Sequence, residues 1–281
     1  MALLLHGTPL SFSDEELAVI AEYEKRKEAV SNPFSFREYM ASSNLPDFKF
    51  PPALHHQKIM EAFQWWADTE NAKLMLFLPF GSGKSVYSSV QLPLWLWARD
   101  PSLTILCASN TQQLAESFAR RRRDAVDTKE FHQLTSAKLR PDAKGIQEFI
   151  NTKGGSMLAR GSQASVTGFR SFANIVDDPH VDFSQVESKK YRDEIYLWYT
   201  GILRSRLSPG GRELLCTTAF SDDDLAHRLL RNEGERWRVL RIPEVADEPD
   251  DILRREIGQR LWPEYLDESR LKIRESNPRL W

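Results

Sequence analysis

The sequence predicts an α/β fold in which a mostly parallel central sheet is flanked by helices. The first observation is a rhythm that begins near residue 74, where an apolar strand, an amphipathic helix, a second strand and a second helix follow within about 50 residues. The second is a set of further short apolar runs at 172–176, 214–218 and 237–242, which supply more strands. The third is that polar or acidic residues follow several runs, at the end where open parallel sheets bind ligands.

Composition indicates a globular protein with one large domain or two ordinary ones. The 281 residues are 41% hydrophobic and 28% charged, and no stretch reaches the roughly 18 uninterrupted apolar residues of a membrane span. The opening MALLLHG has no basic region and too short an apolar core for a secretory signal, which predicts a cytosolic protein without membrane contact. With 38 basic and 40 acidic side chains the net charge is −2, so any contact with DNA must come from a local patch.

Three regions follow from the distribution of caps, prolines and apolar runs. Residues 1–52 are expected to form a small helical N-terminal region, whose first helix starts at an S-x-x-E capping box at 13–16. Residues 53–245 are expected to hold the α/β core. Residues 246–281 are expected to be a C-terminal linker or helical subdomain that ends in a helix at about 267–276.

A glycine-rich loop lies in the segment 74–85, which reads LMLFLPFGSGKS and links the first strand to its helix. Such a turn directs backbone N–H groups and a helix N-terminus at an anion, as in a phosphate-binding P-loop. Lys84 would reach the β and γ phosphates, and the Ser85 hydroxyl would bind Mg²⁺. The residues expected to contact the nucleotide are Phe80, Gly81, Ser82, Gly83, Lys84 and Ser85. The full pattern has glycine where this chain has Leu78, and the alternative is an ordinary strand-to-helix loop.

An acidic pair follows the apolar run at 172–176. A carboxylate at the C-terminal end of a parallel strand next to the loop strand would hold Mg²⁺ through water, which is the role expected for Asp177. The next residue, Asp178, could polarise the attacking water. The alternative is a turn or a helix start, since both also favour paired aspartates. Thr218 ends the later strand at 214–218 and belongs to the same edge of the predicted sheet.

Two further segments carry candidate residues. Gln57 lies in a helix just before the loop strand, where its amide could bind the edge of adenine; the alternative is a surface helix start with His55 and His56 incidental. The four arginines at 120–123 lie on a helix whose geometry prevents all four from facing water in one direction. Either this helix ends there, or part of the run serves DNA phosphates or a neighbouring subunit, or the run is simply a solvated face.

Taken in order, several stretches resemble the ATPase part of the large terminase subunit of tailed phages, the motor that packages double-stranded DNA into procapsids. They are PFGSGKS, TGFRSFANIVDDP, CTTAFSDDDLAHRLL and the closing LRIPEV with GQRLWPEYL, and the similarity runs over about residues 53–270. The resemblance implies a P-loop NTPase fold of the RecA/ASCE-like type and Mg²⁺-dependent ATP hydrolysis that powers translocation. It also implies several partners in the cytoplasm of the infected bacterial host: DNA, further copies of the chain in a ring, the portal protein and the small terminase subunit.

The resemblance assigns roles to residues at matching positions. Lys84 and Ser85 would bind phosphate and Mg²⁺, and Asp177 would be the acid on the metal side. Asp178 would be the catalytic carboxylate, and Thr218 would couple hydrolysis to movement.

Two departures from the family pattern affect the expected catalytic groups. Many members carry an arginine in the loop where this chain has Phe80, so the charge-stabilising arginine is expected elsewhere. Arg170 is the first candidate, acting on the γ-phosphate of a neighbouring subunit, and Arg160 is the second. The catalytic carboxylate is often glutamate, and Asp178 is one methylene shorter, which affects its reach to the water.

The residues after the core also bear on function. A complete large terminase continues into a nuclease domain, and the roughly 30 residues after Asp251 are too few for such a core, so no DNA cleavage is expected from this chain. Other interpretations remain open from the sequence. They are a helicase-like ATPase stimulated by nucleic acid, a P-loop kinase acting on a small acceptor, and a nucleotide-sensing assembly module without turnover.

Overall fold

The computed structural model of the chain describes residues 4–5, 8–9, 12–265 and 272. Within this part, helices flank an eight-stranded sheet on both faces, which confirms the predicted α/β class. The strands are β1 (Leu4–Leu5), β2 (Thr8–Pro9), β3 (Lys73–Phe77), β4 (Thr104–Ser109), β5 (Leu139–Lys144), β6 (Glu148–Asn151), β7 (Ser156–Gly161), β8 (Ser171–Asp177), β9 (Leu207–Thr217) and β10 (Arg238–Arg241). Strands β1 and β2 form a separate antiparallel pair.

The helices lie between and beside these strands. The α-helices are α1 (Asp14–Ser31), α2 (Pro33–Met40), α3 (Pro46–Lys49), α4 (Leu54–Asp68), α5 (Lys84–Val86), α6 (Leu92–Arg99), α7 (Gln112–Val126), α8 (Lys129–Leu134), α9 (Phe183–Glu187), α10 (Lys189–Leu197) and α11 (Leu225–Glu233). π-Helical turns occupy Tyr87–Gln91 and Trp198–Leu203, and 3₁₀ turns occupy Ala41–Ser43, Arg204–Arg206 and Gly234–Arg236.

The strand order across the sheet is β10-β3-β9-β8-β4-β7-β6-β5. The first six strands are parallel, and β6 and β5 are antiparallel additions at one edge. Because β9 lies between β3 and β8, the expectation that the acidic strand is next to the loop strand is wrong. The rhythm of consecutive elements does not reveal that a later strand inserts between two earlier ones. The strand ends are nevertheless level, since Phe77 pairs with Thr217 and Asp177 pairs with Cys216.

The two faces of the sheet carry two apolar layers because successive strand residues point to opposite sides. Ile175 belongs to the larger layer, and the next residue, Val176, belongs to the smaller one. The larger layer includes Phe63 and Trp66 from α4, Leu94 and Trp95 from α6, and Phe118 and Ala119 from α7. The smaller layer includes Ile195 from α10 and Leu225 and Leu229 from α11.

The N-terminal helices pack onto the larger layer. The predicted capping box is confirmed: the Ser13 hydroxyl accepts from the N–H of Glu16 at 3.2 Å, and the Glu16 carboxylate accepts from the N–H of Ser13 at 2.8 Å. Farther along, the buried side chains of Phe36, Met40 and Phe48 lie in the same apolar cluster as the central strands. These helices therefore stabilise the core beside the sheet.

The helix that follows the glycine loop runs from α5 through a π-helical turn into α6. Pro93 lies inside this helix and has no N–H to donate to the carbonyl of Ser89, four residues earlier. The guanidinium Nη1 of the fully buried Arg122 donates to that carbonyl instead. A side chain from α7 therefore supplies a donor to a carbonyl that Pro93 cannot serve, and the helix continues to Arg99.

The segment after β10, at 243–265, folds back over the core. The Arg255 guanidinium pairs with Asp251 at 2.7 Å and donates to two carbonyl oxygens at the start of the segment. Leu261 is buried, and Trp262 packs against the larger apolar layer. Apart from residue 272, the helix predicted at about 267–276 lies outside the described residues.

Candidate functional site

The glycine loop connects the C-terminal end of β3 to the N-terminus of α5. Gly81 has φ = 76° and Gly83 has φ = 82°, a left-handed backbone that glycine adopts without strain. Lys84 is the first residue of α5, so the N-terminus of the helix faces the loop. The loop is therefore a strand-to-helix turn with a left-handed backbone at two glycines, and its role as an anion site stays a prediction.

Lys84 lies at the centre of the site. Its Nζ is 2.8 Å from Oδ2 of Asp178, and it lies 5.0 Å from the ring centroid of Phe80. Burial favours the neutral amine, but the Asp178 carboxylate raises the pKa of Lys84 above its ordinary value. Phe80 thus lies with its aromatic ring toward the ammonium group.

Asp178 is held in an unusual backbone conformation. Its φ is 43°, in the left-handed region that aspartate tolerates better than most residues. Its N–H donates to the carbonyl of Cys216 at 2.8 Å, and its Oδ1 accepts from the N–H of Thr218 at 2.9 Å. The Thr218 hydroxyl in turn donates to the carbonyl of Leu78 at 3.0 Å. The chain therefore brings Asp178, Thr218 and the start of the glycine loop together.

Asp177 is fully buried at the end of β8. Within the described residues, neither carboxylate oxygen has a partner at full hydrogen-bond geometry, although the hydroxyls of Ser85 and Ser89 lie near enough to favour the charged form. Burial, reinforced by the charge of Asp178, raises the pKa of Asp177 to about 7.

These buried oxygens fit a bound cation. Mg²⁺ prefers oxygen ligands and is held in nucleotide sites by one or two protein oxygens together with phosphates and water. Asp177 and Ser85 are such a pair. In the part of the chain that the structure describes, no group of three or more His, Cys, Asp or Glu side chains lies close enough together to hold a metal ion.

The two histidines treated as incidental by one interpretation of the sequence are part of the site. His55 and His56 are buried on the first turn of α4, and Nε2 of each ring lies within hydrogen-bond distance of the Ser82 carbonyl, at 2.9 and 2.8 Å. Burial lowers the pKa of His55 to about 4 and that of His56 to about 3. Their contact with the loop had no sequence signal, because adjacent histidines before a strand match no ligand spacing.

Gln57 is not among the residues that contact the loop. It lines a cavity of about 470 Å³ between α4 and the junction of α1 and α2, together with Asn32, Phe34 and Met60. The prediction that its amide binds adenine stays a prediction.

The two candidate arginines lie at different edges of the sheet. Arg160 is level with Ala108 near the C-terminal end of β7, two strands from β8 and thus about 10 Å to the side of Asp177. Its guanidinium donates to the carbonyl of Ala159 at 3.0 Å. Arg170 is exposed and precedes the first residue of β8, about 20 Å from Asp177 along the strand. Within one chain, Arg170 therefore lies at the edge opposite the glycine loop.

The run at 120–123 is engaged within the chain. The helix does not end there, since α7 continues to Val126. Arg121 pairs with Asp47, Arg122 supports the helix after the loop, and Arg123 donates to a carbonyl on β5. Only Arg120 is mainly exposed, with Glu116 at 3.6 Å. Three of the four arginines therefore hold neighbouring segments against α7. This explains why arginine side chains leave the helix on more than one side.

Comparisons with known proteins point to one family. A family model described as the N-terminal part of the T4likevirus-type terminase large subunit matches residues 75–251. Among solved structures, the large terminase of bacteriophage HK97 is similar at 13% identity and a TM-score of 0.47, over 72% of this chain and 41% of that one. The large terminase of a thermophilic bacteriophage is similar at 13% identity and a TM-score of 0.40, over 75% of this chain and 49% of that one.

This chain spans less than half the length of those two solved terminases. The sequence has no match among curated proteins. None of the helices in the described ranges is both long enough and apolar enough to cross a membrane.

Proposed function

Because the chain belongs to the terminase large subunit family, as the match over residues 75–251 shows, we propose that it is the ATP-hydrolysing motor of a phage DNA-packaging enzyme. The observation that carries this proposal is the ion pair between Lys84 and Asp178, beside the buried Asp177. These charges meet where the glycine loop ends and α5 begins. Phosphoryl transfer requires a cation that binds the phosphates, an acid on the side of the metal and a second acid. Lys84, Asp177 and Asp178 are groups of these three kinds.

Each residue has a distinct task in the proposed reaction. The N–H groups of the loop and the ammonium of Lys84 bind the phosphates, and the pairing of Lys84 with Asp178 gives way to pairing with the γ-phosphate. Asp178 is then free to accept a hydrogen bond from the attacking water and orient it. The N–H of Thr218 keeps that carboxylate in place. Asp177 and Ser85 are the protein groups that would hold Mg²⁺.

Mg²⁺ and ATP, when bound, supply the charge neutralisation and the leaving group of the reaction. The chain contributes positioning and electrostatics, and the burial of Lys84 and Asp177 places these groups where fixed charges act strongly. The proposed partners are double-stranded DNA, further copies of the chain in a ring on the portal, and the small terminase subunit. The proposed location is the cytoplasm of the infected bacterium.

The test is phosphate release from ATP with Mg²⁺, with and without DNA and with no phosphate acceptor other than water. We expect Lys84→Ala to lower turnover by at least about 100-fold, because a preorganised charge on the transferred phosphoryl group is lost. Lys58→Ala is the matched control, since Lys58 pairs with Glu61 on the outer part of α4. Wild-type turnover in Lys84→Ala would overturn the mechanism, and turnover that needs a small hydroxyl acceptor would favour a kinase.

A further inference from the structure

His55 and His56 converge on one peptide bond of the glycine loop. A carbonyl oxygen can only accept, so both rings donate from Nε2 to the Ser82 oxygen, at 2.9 and 2.8 Å. The other ring nitrogen of His56, Nδ1, accepts from the N–H of Ala53 at 3.0 Å. His56 is therefore a neutral ring with a fixed tautomer, held between the start of α4 and the loop.

The orientation of this peptide decides what the loop presents to an anion. The C=O of Ser82 and the N–H of Gly83 belong to one trans peptide and point in opposite directions. Because the Ser82 oxygen is hydrogen-bonded to the two histidines, the N–H of Gly83 points away from them. A rotated peptide would exchange the two groups and place an oxygen where a donor is needed. Glycine permits such rotation readily, so a restraint from outside the loop has a clear physical use.

His56 also occupies the space beside Gly83. A Cβ at this position would lie 2.8 Å from Nε2 of His56, closer than side chains approach one another, and φ is +82°. The approach is possible only because residue 83 has no side chain. The ring of His56 stacks on that of Tyr87 at 4.4 Å between centroids, on the helix after the loop.

The C-terminal segment covers the same pair. The ring of Trp262 makes edge contacts with both histidines, at 5.2 Å from His55 and 5.0 Å from His56 between centroids. Because Leu261 beside it is buried in the larger apolar layer, the indole is anchored to the core. His56 therefore contacts both Tyr87 and Trp262, which restrain the orientation of its ring.

We propose that His55 and His56 are positioning residues that hold the Ser82–Gly83 peptide in its anion-binding orientation, and that Trp262 holds the two rings in place. The C-terminal segment thereby sets the state of the phosphate loop. This inference rests on the proposed function in one respect, namely that the loop binds the phosphates of a nucleotide. A shift of Trp262 would release the peptide and weaken phosphate binding.

The experiment measures calorimetric binding of inorganic tripolyphosphate with Mg²⁺, alongside KM and kcat for ATP. Replacing both histidines by leucine removes the donors, and we expect at least about 10-fold weaker binding and a KM raised by the same factor. Replacing both by glutamine keeps a donor near the position of Nε2, and should restore binding to within about threefold of wild type. His132→Leu, on α8, is the control for loss of a histidine away from the loop.

Trp262→Ala provides a second variant should the leucine protein fail to fold. We expect it to weaken tripolyphosphate binding severalfold, and Trp262→Phe to retain an aromatic contact and bind more tightly than the alanine variant. If the double leucine variant and Trp262→Ala both fold and bind tripolyphosphate as tightly as wild type, the proposal is overturned. ATP hydrolysis by the wild type would leave the proposed function intact in that case. Conversely, histidine-dependent binding of tripolyphosphate by a wild type that does not hydrolyse ATP would support the proposal and overturn the ATPase function.

Discussion

The backbone N–H of Thr218 donates to Oδ1 of Asp178 at 2.9 Å, while the Thr218 hydroxyl donates to the carbonyl of Leu78 at 3.0 Å. One residue at the end of β9 thus connects the first residue of the glycine loop to the carboxylate proposed to orient water. Since β9 lies between β3 and β8, this connection is a direct consequence of the strand order. A change in the loop on hydrolysis would reach Asp178 through Thr218.

We predict that Thr218→Val lowers ATP turnover by about 10-fold, the equivalent of one hydrogen bond of about 1.4 kcal/mol, without weakening ATP binding. The substitution removes the hydroxyl that bonds to Leu78 but keeps the N–H that bonds to Asp178. Steady-state kinetics and calorimetric binding of a non-hydrolysed ATP analogue separate the two effects. Thr218→Ser retains a hydroxyl and should behave like wild type; equal losses in the serine and valine variants would contradict this role.

Asp178→Asn should lower turnover by about 100-fold or more, the range for loss of a group that assists proton transfer, while ATP binding is not weakened. Asparagine tolerates the left-handed φ of 43° and can accept from Thr218, but it lacks the charge that pairs with Lys84. ATP binding is not weakened because Lys84, which has lost its ion pair with residue 178, no longer has to break that pair before it binds the phosphate. Asp142→Asn, in an exposed ion pair on β5, is the control. The assignment fails if Asp178→Asn retains full turnover.

The glycine loop, the acidic pair and the threonine could be placed from sequence because each signal is local. Glycines before Lys84, an aspartate pair after an apolar run and a polar residue after another run all describe the end of a strand. Strand ends of a parallel sheet lie at one edge, so the residues meet even though the strand of Asp177 was expected next to β3, where β9 lies instead.

What the sequence did not reveal depends on packing between distant segments. The contact of His55 and His56 with Ser82 crosses more than 25 residues of chain. The hydrogen bond from Arg122 to the carbonyl of Ser89, four residues before Pro93, joins two helices that the sequence treats separately. Neither follows from periodicity, because hydrophobic patterns define which face is buried and not which polar group it meets.

The buried histidines should make stability depend on pH. Burial lowers the pKa of His55 to about 4, below the ordinary 6.5, so the unfolded chain binds a proton that the folded chain does not. The free energy of unfolding therefore falls as pH drops below about 6.5, and the contribution of His55 reaches about 2 kcal/mol at about pH 5.

The check is urea unfolding of wild type and His55→Asn at about pH 7.5 and pH 5. The variant removes one titrating group and leaves the carboxylates unchanged. Between about pH 7.5 and pH 5, we expect the free energy of unfolding of the variant to fall by about 2 kcal/mol less than that of wild type. An equal loss in both proteins would show that His55 does not titrate in this way.

Arg170 lies at the edge of the sheet opposite its own glycine loop, so its proposed role on a γ-phosphate requires the loop of another copy of the chain. Its guanidinium donates to the carbonyl of Ser205 at 3.1 Å and is exposed, so a neighbour can approach it. We predict that Arg170→Ala lowers turnover per chain most strongly at protein concentrations that favour association, since an arginine supplied in trans stabilises the transferred phosphoryl group. Arg160→Ala, at the near edge, should show no such dependence on concentration.

Mixing two variants with impaired turnover tests the same prediction more directly. Arg170→Ala keeps an intact loop, and Lys84→Ala keeps an intact Arg170. If Arg170 acts in trans, a mixed assembly places the arginine of a Lys84→Ala chain at the intact loop of an Arg170→Ala chain, and turnover returns in proportion to the mixed contacts. A mixture of Arg170→Ala with a Lys84→Ala, Arg170→Ala double variant lacks that arginine and is the control. Recovery of turnover in both mixtures would exclude Arg170 as the trans-acting residue. Recovery in neither mixture, at protein concentrations that favour association of the wild type, would exclude it as well.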